Sequence, residues 1–505
     1  MLLINPPTVR NCEPPVALLK LAGALRAAGD EPYILDGAVE AFHWLGRQEA
    51  WNADDKRAQR VRKNSSRILA SLTGDSSVKS AYDSPDRYTK QVRDLNYLAS
   101  SSLDSEKYRL TAADLEVEGQ SPLKRQDLIR AWKNPQESPF FPWFEQRLEE
   151  LKKEIRFTHV GISIGFLSQG LTGMSIMGYI RRTWPEVKIQ LGGSLITSWL
   201  RGPGDCSFLS ELSDEVQAGP GEESIVRFRG LEWKGTGLAD PGTLYSLPYI
   251  SPGPILPYSA ACGCSWKRCT FCNERWEDNP FKEEAASLVS SNLISLTEKH
   301  SPAMIHITDS EISLDLMKAI IRNPPGAPWY SFSHFIKELT SPSFCRDLAG
   351  SGCRLLCLGL ESGDQDVLDS LQKGIRLDSV RTILRNLKET GIGTYVYVMF
   401  GTSTEDKDAA LRTRDFILEQ KEYIDFINAA VFSMPIMSRE LDDLLSMSFY
   451  EGDLSLYRDF KHPLGFGRRQ VREFMSKDFQ GIPEIREILK RTPPVFTSSH
   501  APFFC

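Results

Sequence analysis

The chain has 505 residues, 41% of them hydrophobic and 25% charged, with a formal net charge of -6. These are the proportions of a folded globular protein of about three ordinary domains, and the acidic balance offers no electrostatic case for nucleic acid or an anionic membrane. Ten cysteines fall in clusters rather than in a disulfide framework, and no apolar run is long enough to span a bilayer. The sequence enters a strand directly at Met1 without a leader pattern, so a cytoplasmic location is expected.

From the start, strand and helix alternate. Residues 2–5 read as a short buried strand, 16–28 as a helix with apolar positions at helical spacing, and 32–35 as a second strand that runs out at Asp36 and Gly37. After an interruption the pattern resumes, with strands at 158–164, 187–191 and 215–218 and a helix at 171–183. A parallel sheet of this kind binds ligands in the crevice beyond the carboxyl ends of its strands. Those ends are small and glycine-rich: Ser163, Gly165, Ser168 and Gln169, then Gly192, Gly193 and Ser194, then Gly219, Gly221 and Glu222. Such loops let a large ligand approach the backbone closely. The interruption, residues 44–153, is polar and charged, with helical stretches at 48–72 and 144–155, and reads as a solvated helical elaboration.

A Pro- and Gly-containing link from residue 241 leads into a second alternating segment. Its first strand, 254–261, runs into Cys264, Cys269 and Cys272, spaced C-x4-C-x2-C, with Phe271 between the last two. Three thiolates so close together call for a soft metal centre, iron–sulfur or zinc. Zinc wants a fourth ligand nearby, and Cys262, separated from Cys264 by a single glycine, would strain the loop if both bound one ion. Five more strands follow at 304–308, 329–332, 354–359, 394–399 and 426–432. In a parallel barrel, function collects where strands end. Here those ends carry Asp309 and Glu311, then Glu361 and Ser362, then Gly401.

The cysteine triad after a first barrel strand, with acids at successive strand ends, resembles the radical S-adenosylmethionine (SAM) superfamily. The glycine-rich loops that precede it resemble the cobalamin (B12)-binding domain of one large branch. The resemblance implies an α/β chain in three parts. Residues 1–240 would be a Rossmann-like cobalamin-binding domain with the insertion at 44–153. Residues 241–440 would be a partial (β/α)6 TIM-like barrel, and 441–505 a small, mainly helical capping region. It implies a [4Fe–4S] cluster on Cys264, Cys269 and Cys272, and SAM contacts from Phe271, Asp309, Glu311, Glu361, Ser362 and Gly401. Cobalamin contacts would come from Asp36, Gly37, Ser163, Gly165, Ser168, Gln169, Gly192, Gly193, Ser194, Gly219, Gly221 and Glu222. The Asp-x-His-x-x-Gly motif of other cobalamin domains is absent, as Asp36 is followed by Gly37 and Ala38.

The implied activity is methyl transfer to an unactivated carbon by a 5'-deoxyadenosyl radical and methylcobalamin. An electron donor such as flavodoxin or ferredoxin would serve it, and the substrate would be a peptide or small molecule. The alternatives are radical SAM chemistry without methyl transfer or without cobalamin, and a noncatalytic zinc-stabilised scaffold. Cys345, Cys353 and Cys357 read as buried apolar residues, and Cys505 as an exposed thiol or an active-site one. Tyr450, Tyr457, Phe460, Phe466 and Phe474 make the end of the chain aromatic.

Overall fold

Two parallel sheets organise the chain. A computed structural model describes residues 1–442, 444–448 and 452–505, so Tyr450 lies outside the described residues. One unit comprises Met1–Pro254 with Tyr450–Leu456, the other Ile255–Phe449 with Tyr457–Cys505. No helix among the described residues is long and apolar enough to cross a membrane.

The first unit is built on β1 (Leu2–Asn5), β2 (Tyr33–Asp36), β3 (His159–Ser163), β4 (Lys188–Gly192) and β5 (Glu215–Val216), all parallel in the order β2-β1-β3-β4-β5. Strand order reverses between β1 and β3, which makes the loops after these strands the expected ligand crevice. The second strand runs one residue beyond its expected end because Asp36 also caps the next helix, accepting the Ala38 N–H at 3.2 Å. Helices Val16–Ala27 and Glu222–Phe228 pack together around Leu3, Leu18, Leu25, Ile225 and Val226.

Helix Leu167–Thr183 is buried from Gln169 to Ile180, as a helix covered on every side must be. Its cover comes from the interruption, which corrects the expectation of a solvated elaboration. Helix Arg125–Lys133 lies so close that a Cβ on Gly178 would collide with the Trp132 carbonyl oxygen. The interruption also holds a hairpin, Tyr108–Leu110 with Leu115–Val117. Its first expected helix is two, Lys56–Lys63 and Ser65–Leu72, because the Asn64 amide bonds back to the Arg60 carbonyl at 3.0 Å and competes with the helix there.

The second unit holds β6 (Ile255–Tyr258), β7 (Met304–Ile307), β8 (Trp329–Ser333), β9 (Cys353–Glu361), β10 (Gly393–Phe400) and β11 (Phe426–Val431). All six are parallel and lie side by side in chain order, with helical crossovers between them. β6 and β11 are the edges, and no ladder joins them among the described residues. Pro257 inside β6 is tolerated because an edge strand leaves one side of its backbone unpaired. Ile255, Met304, Tyr330, Leu355, Tyr395 and Phe426, one from each strand, share a core cluster with Ala501, Phe503 and Phe504.

The end of the chain therefore packs under the amino ends of the strands. A Cβ on Gly393, the first residue of β10, would collide with Cys505 Sγ, which sets Cys505 at the end of the sheet opposite the cysteine loop. The capping region is also less helical than expected. A three-stranded antiparallel sheet of Met434–Pro435, Ser446–Ser448 and Tyr457–Phe460 precedes its helices.

At the carboxyl end of β10, Glu405 is fully buried and folds back to accept the Gly401 N–H at 2.5 Å. Burial pushes its carboxyl up to about 8, against that hydrogen bond and reinforced by Asp364 and Asp406. The unfolded chain ionises this group near 4.5, so the folded state holds the extra proton between the two values and loses stability as pH rises through that window. Glu405→Gln is expected to abolish this fall, a few kcal/mol at most, and to raise the melting temperature relative to wild type above about pH 8, as read by thermal melts across pH. Gly178→Ala is expected to destabilise the chain by about 1–3 kcal/mol in denaturant unfolding, because the clash with a backbone carbonyl outweighs the helix-propensity gain.

Candidate functional site

The loop bearing Cys264, Cys269 and Cys272 is braced at three points, two supplied by the segment after β7 and one by the turn after a short helix that follows β9. At its base, Ala261–Cys262 pairs antiparallel with Lys282–Glu283. Asp309, at the end of β7 and 4% exposed, accepts the Ala261 N–H at 2.9 Å. Nearer its tip, Glu311 Oε1 accepts from the Ser265 N–H at 3.0 Å and from the Cys264 thiol at 3.6 Å. The far side rests on the turn after the short helix Gln365–Ser370. There the Thr270 N–H donates to the Leu371 carbonyl at 3.1 Å and the Trp266 indole to the Gln372 carbonyl at 2.9 Å. Gly374, at φ 74°, lies flat under the Trp266 ring where any Cβ would clash.

The three thiols interact electrostatically. Burial, then Cys272, Glu361 and Cys264, push Cys269 up to about 12 despite Lys373, and burial, then Glu274 and Cys264, raise Cys272 against the Glu274 backbone N–H and Lys373. Gathered thiolates without a cation are thus strongly disfavoured, and a metal centre that displaces their protons relieves the conflict. On donor chemistry, three clustered cysteines on a braced loop fit an iron–sulfur cluster.

Around them the strand-end acids meet partners outside the expected site residues. His334, just after β8, pairs with Glu311 at 3.0 Å. Burial works to raise Glu311, but His334 and Ser265 outweigh it and hold the carboxyl down at about 2. The signal for His334 was its place one residue past a barrel strand, the same rule that found the acids. Lys373, 7% exposed, donates to Glu361 Oε1 at 3.0 Å and stands 5.7 Å over the Phe271 ring. Burial lowers its pKa, but Glu361, Cys269 and Cys272 reverse that and hold it charged. Phe271 itself packs beside Met399 on Val367, Leu371 and Ala409.

Two expected contacts face inward instead. The Ser362 hydroxyl lies 3.0 Å from that of Thr413 and accepts the Asp364 N–H at 3.1 Å. Gly401 is covered by Val471, whose Cγ2 lies 2.8 Å from where a Cβ would stand.

In the first unit, Gly165, Gly192, Gly193, Ser194 and Gly219 do gather at the ends of β3, β4 and β5. Ser194 donates to the Gly165 carbonyl at 3.0 Å, and Gly193, at φ 115°, sits against the Ile164 backbone where only glycine fits. Gln169 staples two loops, accepting the Gly165 and Phe166 N–H groups at 2.9 and 3.2 Å and donating to Asn5 and Pro6 at 2.8 Å. Ser168 donates to the Thr8 carbonyl at 2.7 Å. Ser163 ends β3, half-buried, and Gly221 opens the helix in which Glu222 pairs with Lys20 at 3.4 Å.

Asp36 and Gly37 are turned away from this crevice. Asp36 is 1% exposed, accepts from Tyr249 at 2.7 Å and Asn5 at 2.8 Å, and is pushed up to about 6 by burial. Gly37 is closed over by Trp143 and the Asn5 carbonyl.

Two observations make the crevice suitable for a large polar ligand. An added Cβ would find nothing nearer than 3.4 Å at Gly165 and 3.6 Å at Gly192 and Gly219. In the loop after β1, Thr8 Oγ1 and both amide atoms of Asn11 are buried without a partner among the described residues, which is unfavourable unless a ligand or water serves them.

No family model matches the chain. Among curated proteins, the bacteriochlorophyllide d C-12(1)-methyltransferase of Chlorobaculum tepidum is 34% identical over 275 residues, which is 50% of this chain and 58% of that one. Among solved structures, TsrM of Kitasatospora setae, a radical S-adenosylmethionine methyltransferase with tryptophan substrate and a SAM analogue bound, is similar with a TM-score of 0.54. That match covers 97% of this chain and 89% of TsrM at 14% identity. OxsB, a cobalamin-dependent S-adenosylmethionine radical enzyme with aqua-cobalamin bound, is similar with a TM-score of 0.50 over 66% of this chain and 60% of that one at 13% identity. The chain thus spans about three-fifths of the length of the curated relative and of OxsB. In fold, the chain is similar to a cobalamin-dependent S-adenosylmethionine radical enzyme and to a radical S-adenosylmethionine methyltransferase.

Proposed function

We propose that the chain is a cobalamin-dependent radical SAM methyltransferase acting on an unactivated carbon of a small molecule. The observation that carries this reading is the braced loop of Cys264, Cys269 and Cys272, set where strand-end carboxylates converge. In this reading the second unit is a partial TIM-like barrel and the first a cobalamin-binding domain. Bound together, the cofactors would supply one electron to a sulfonium and a methyl group to the substrate. The chain's own residues hold and orient. Asp309 and Glu311 fix the loop; Cys264, Cys269 and Cys272 would hold the cluster, the two acids would bind the methionine end of SAM, and Glu361 would bind its ribose, since a carboxylate can accept two hydroxyl hydrogen bonds.

The open glycines at 165, 192 and 219, with Thr8 and Asn11, would cradle cobalamin. The electron would come from a flavodoxin- or ferredoxin-type donor. The curated relative acts on a bacteriochlorophyllide and TsrM is described with tryptophan as substrate, both ring-bearing small molecules, which favours such a substrate over a peptide.

A second reading has one observation in its favour. Cys264, Glu311 and His334 offer donor atoms that all lie within 4.8 Å of one another, a set that zinc accepts. Metal analysis separates the two. After strictly anaerobic purification from cells supplied with cobalamin, the expected content is about four irons and about one corrinoid per chain. Cys269→Ala is expected to lose the iron and all SAM cleavage while retaining corrinoid. Stoichiometric zinc with no reconstitutable cluster would overturn the proposal, and cluster without corrinoid would remove cobalamin-borne methyl transfer from it.

A further inference from the structure

The pair formed by Lys373 and Glu361 is held in place by features that packing alone does not require. A buried ammonium is unfavourable by several kcal/mol unless its surroundings compensate it, yet Lys373 is 7% exposed. Room for it is made at Gly359 in β9, where an added Cβ would lie 2.5 Å from Glu361 Oε1 and 2.7 Å from Lys373 Nζ. Glu361 takes a left-handed φ of 66° at a break in register with β10. For a non-glycine residue that conformation persists only where the surroundings enforce it, commonly at functional sites. One Glu361 oxygen is engaged by Lys373 at 3.0 Å. The lysine also stands 5.7 Å over Phe271, between Cys269 and Cys272 in sequence, in the same turn that receives the cysteine loop.

We propose that Lys373 is a positioning residue that couples the two ends of the site. It fixes Glu361 by one oxygen so that the other meets the ribose hydroxyls of SAM, and its buried charge beside the cysteine loop favours one-electron reduction of the cluster by the donor protein. The inference rests on the proposed function and adds a residue to it. A positive charge near a redox centre stabilises the more negative, reduced state, and deep burial keeps solvent from screening it.

The test uses the full chain, purified anaerobically as wild type, Lys373→Met, Lys373→Arg, Glu361→Gln and the Met/Gln double variant. Iron is counted, the cluster's reduction is titrated by electron paramagnetic resonance, and SAM affinity is read from the change SAM causes in the reduced cluster's spectrum. In Lys373→Met the expected result is wild-type iron, a roughly tenfold less favourable reduction equilibrium, about 59 mV for one electron, and roughly tenfold weaker SAM binding. Lys373→Arg restores the potential but not the affinity. The double variant binds SAM no more weakly than Glu361→Gln, because the lysine acts through the glutamate.

An unchanged potential and affinity in Lys373→Met, or fully additive losses in the double variant, would overturn the inference. So would loss of iron from both lysine variants, since the residue would then serve only the fold of the loop. If Lys373→Met alone loses iron, Lys373→Arg decides: weakened affinity at wild-type potential sustains the inference, and unchanged affinity ends it. A wild-type chain that takes up no cluster overturns the proposed function instead, before any variant is compared.

Discussion

Three thiols confined to one short loop cannot all ionise unless a cation joins them, and the second unit is arranged around that constraint. Burial and mutual repulsion raise Cys269 and Cys272, so without a metal centre the loop gains nothing by gathering them. What keeps them gathered is polar bracing from the segments after β7 and β9. Asp309 and Glu311, both past the end of β7, hold the base and the Cys264–Ser265 segment of the loop, and the 371–374 turn holds its far side. The acids orient the loop, and in the proposed function they would also bring negative charge to a cationic sulfonium cosubstrate.

The parallel arrangement explains why these groups converge. A parallel sheet wound in chain order puts every strand's carboxyl end on one edge, so residues far apart in sequence become neighbours. Lys373 and Phe271, about a hundred positions apart, meet in this way, and so do His334 and Glu311 from adjacent strand ends. At the opposite edge the chain's last residues fill the space under the strands, with Phe503 and Phe504 on the core and Cys505 against Gly393. Cys505 is thus the exposed thiol of the two expectations, with its sulfur close to Gly393.

Polar staples do comparable work in the first unit. Gln169 ties the loop after β1 to the loop after β3 with four hydrogen bonds, which leaves the backbone at Gly165 presented rather than collapsed. Asp36 looked like a ligand contact because it ends a strand, yet it is enclosed by Tyr249 and Asn5 and caps a helix. A strand-end carboxylate has both options, and the choice depends on whether a distant tyrosine closes over it. Helix Leu167–Thr183 carries the same lesson, since its cover comes from an insertion whose charged sequence suggested solvent on all sides.

The sequence by itself determined the periodic skeleton and the chemistry of the central loop. Alternating apolar runs and glycine-rich breaks specify parallel strands and crossovers through local propensity and pattern, and C-x4-C-x2-C specifies a soft metal centre because three thiolates within nine residues admit little else. Only the tertiary structure decided which strand-end groups face the site. Ser362 and Gly401 were indistinguishable from Glu361 in one dimension, yet Thr413 and Val471 cover the first two while Lys373 holds the third. Such pairings depend on which side chains the crossovers bring within about 3 Å of one another. That is a property of packing between distant segments, and no local pattern encodes it.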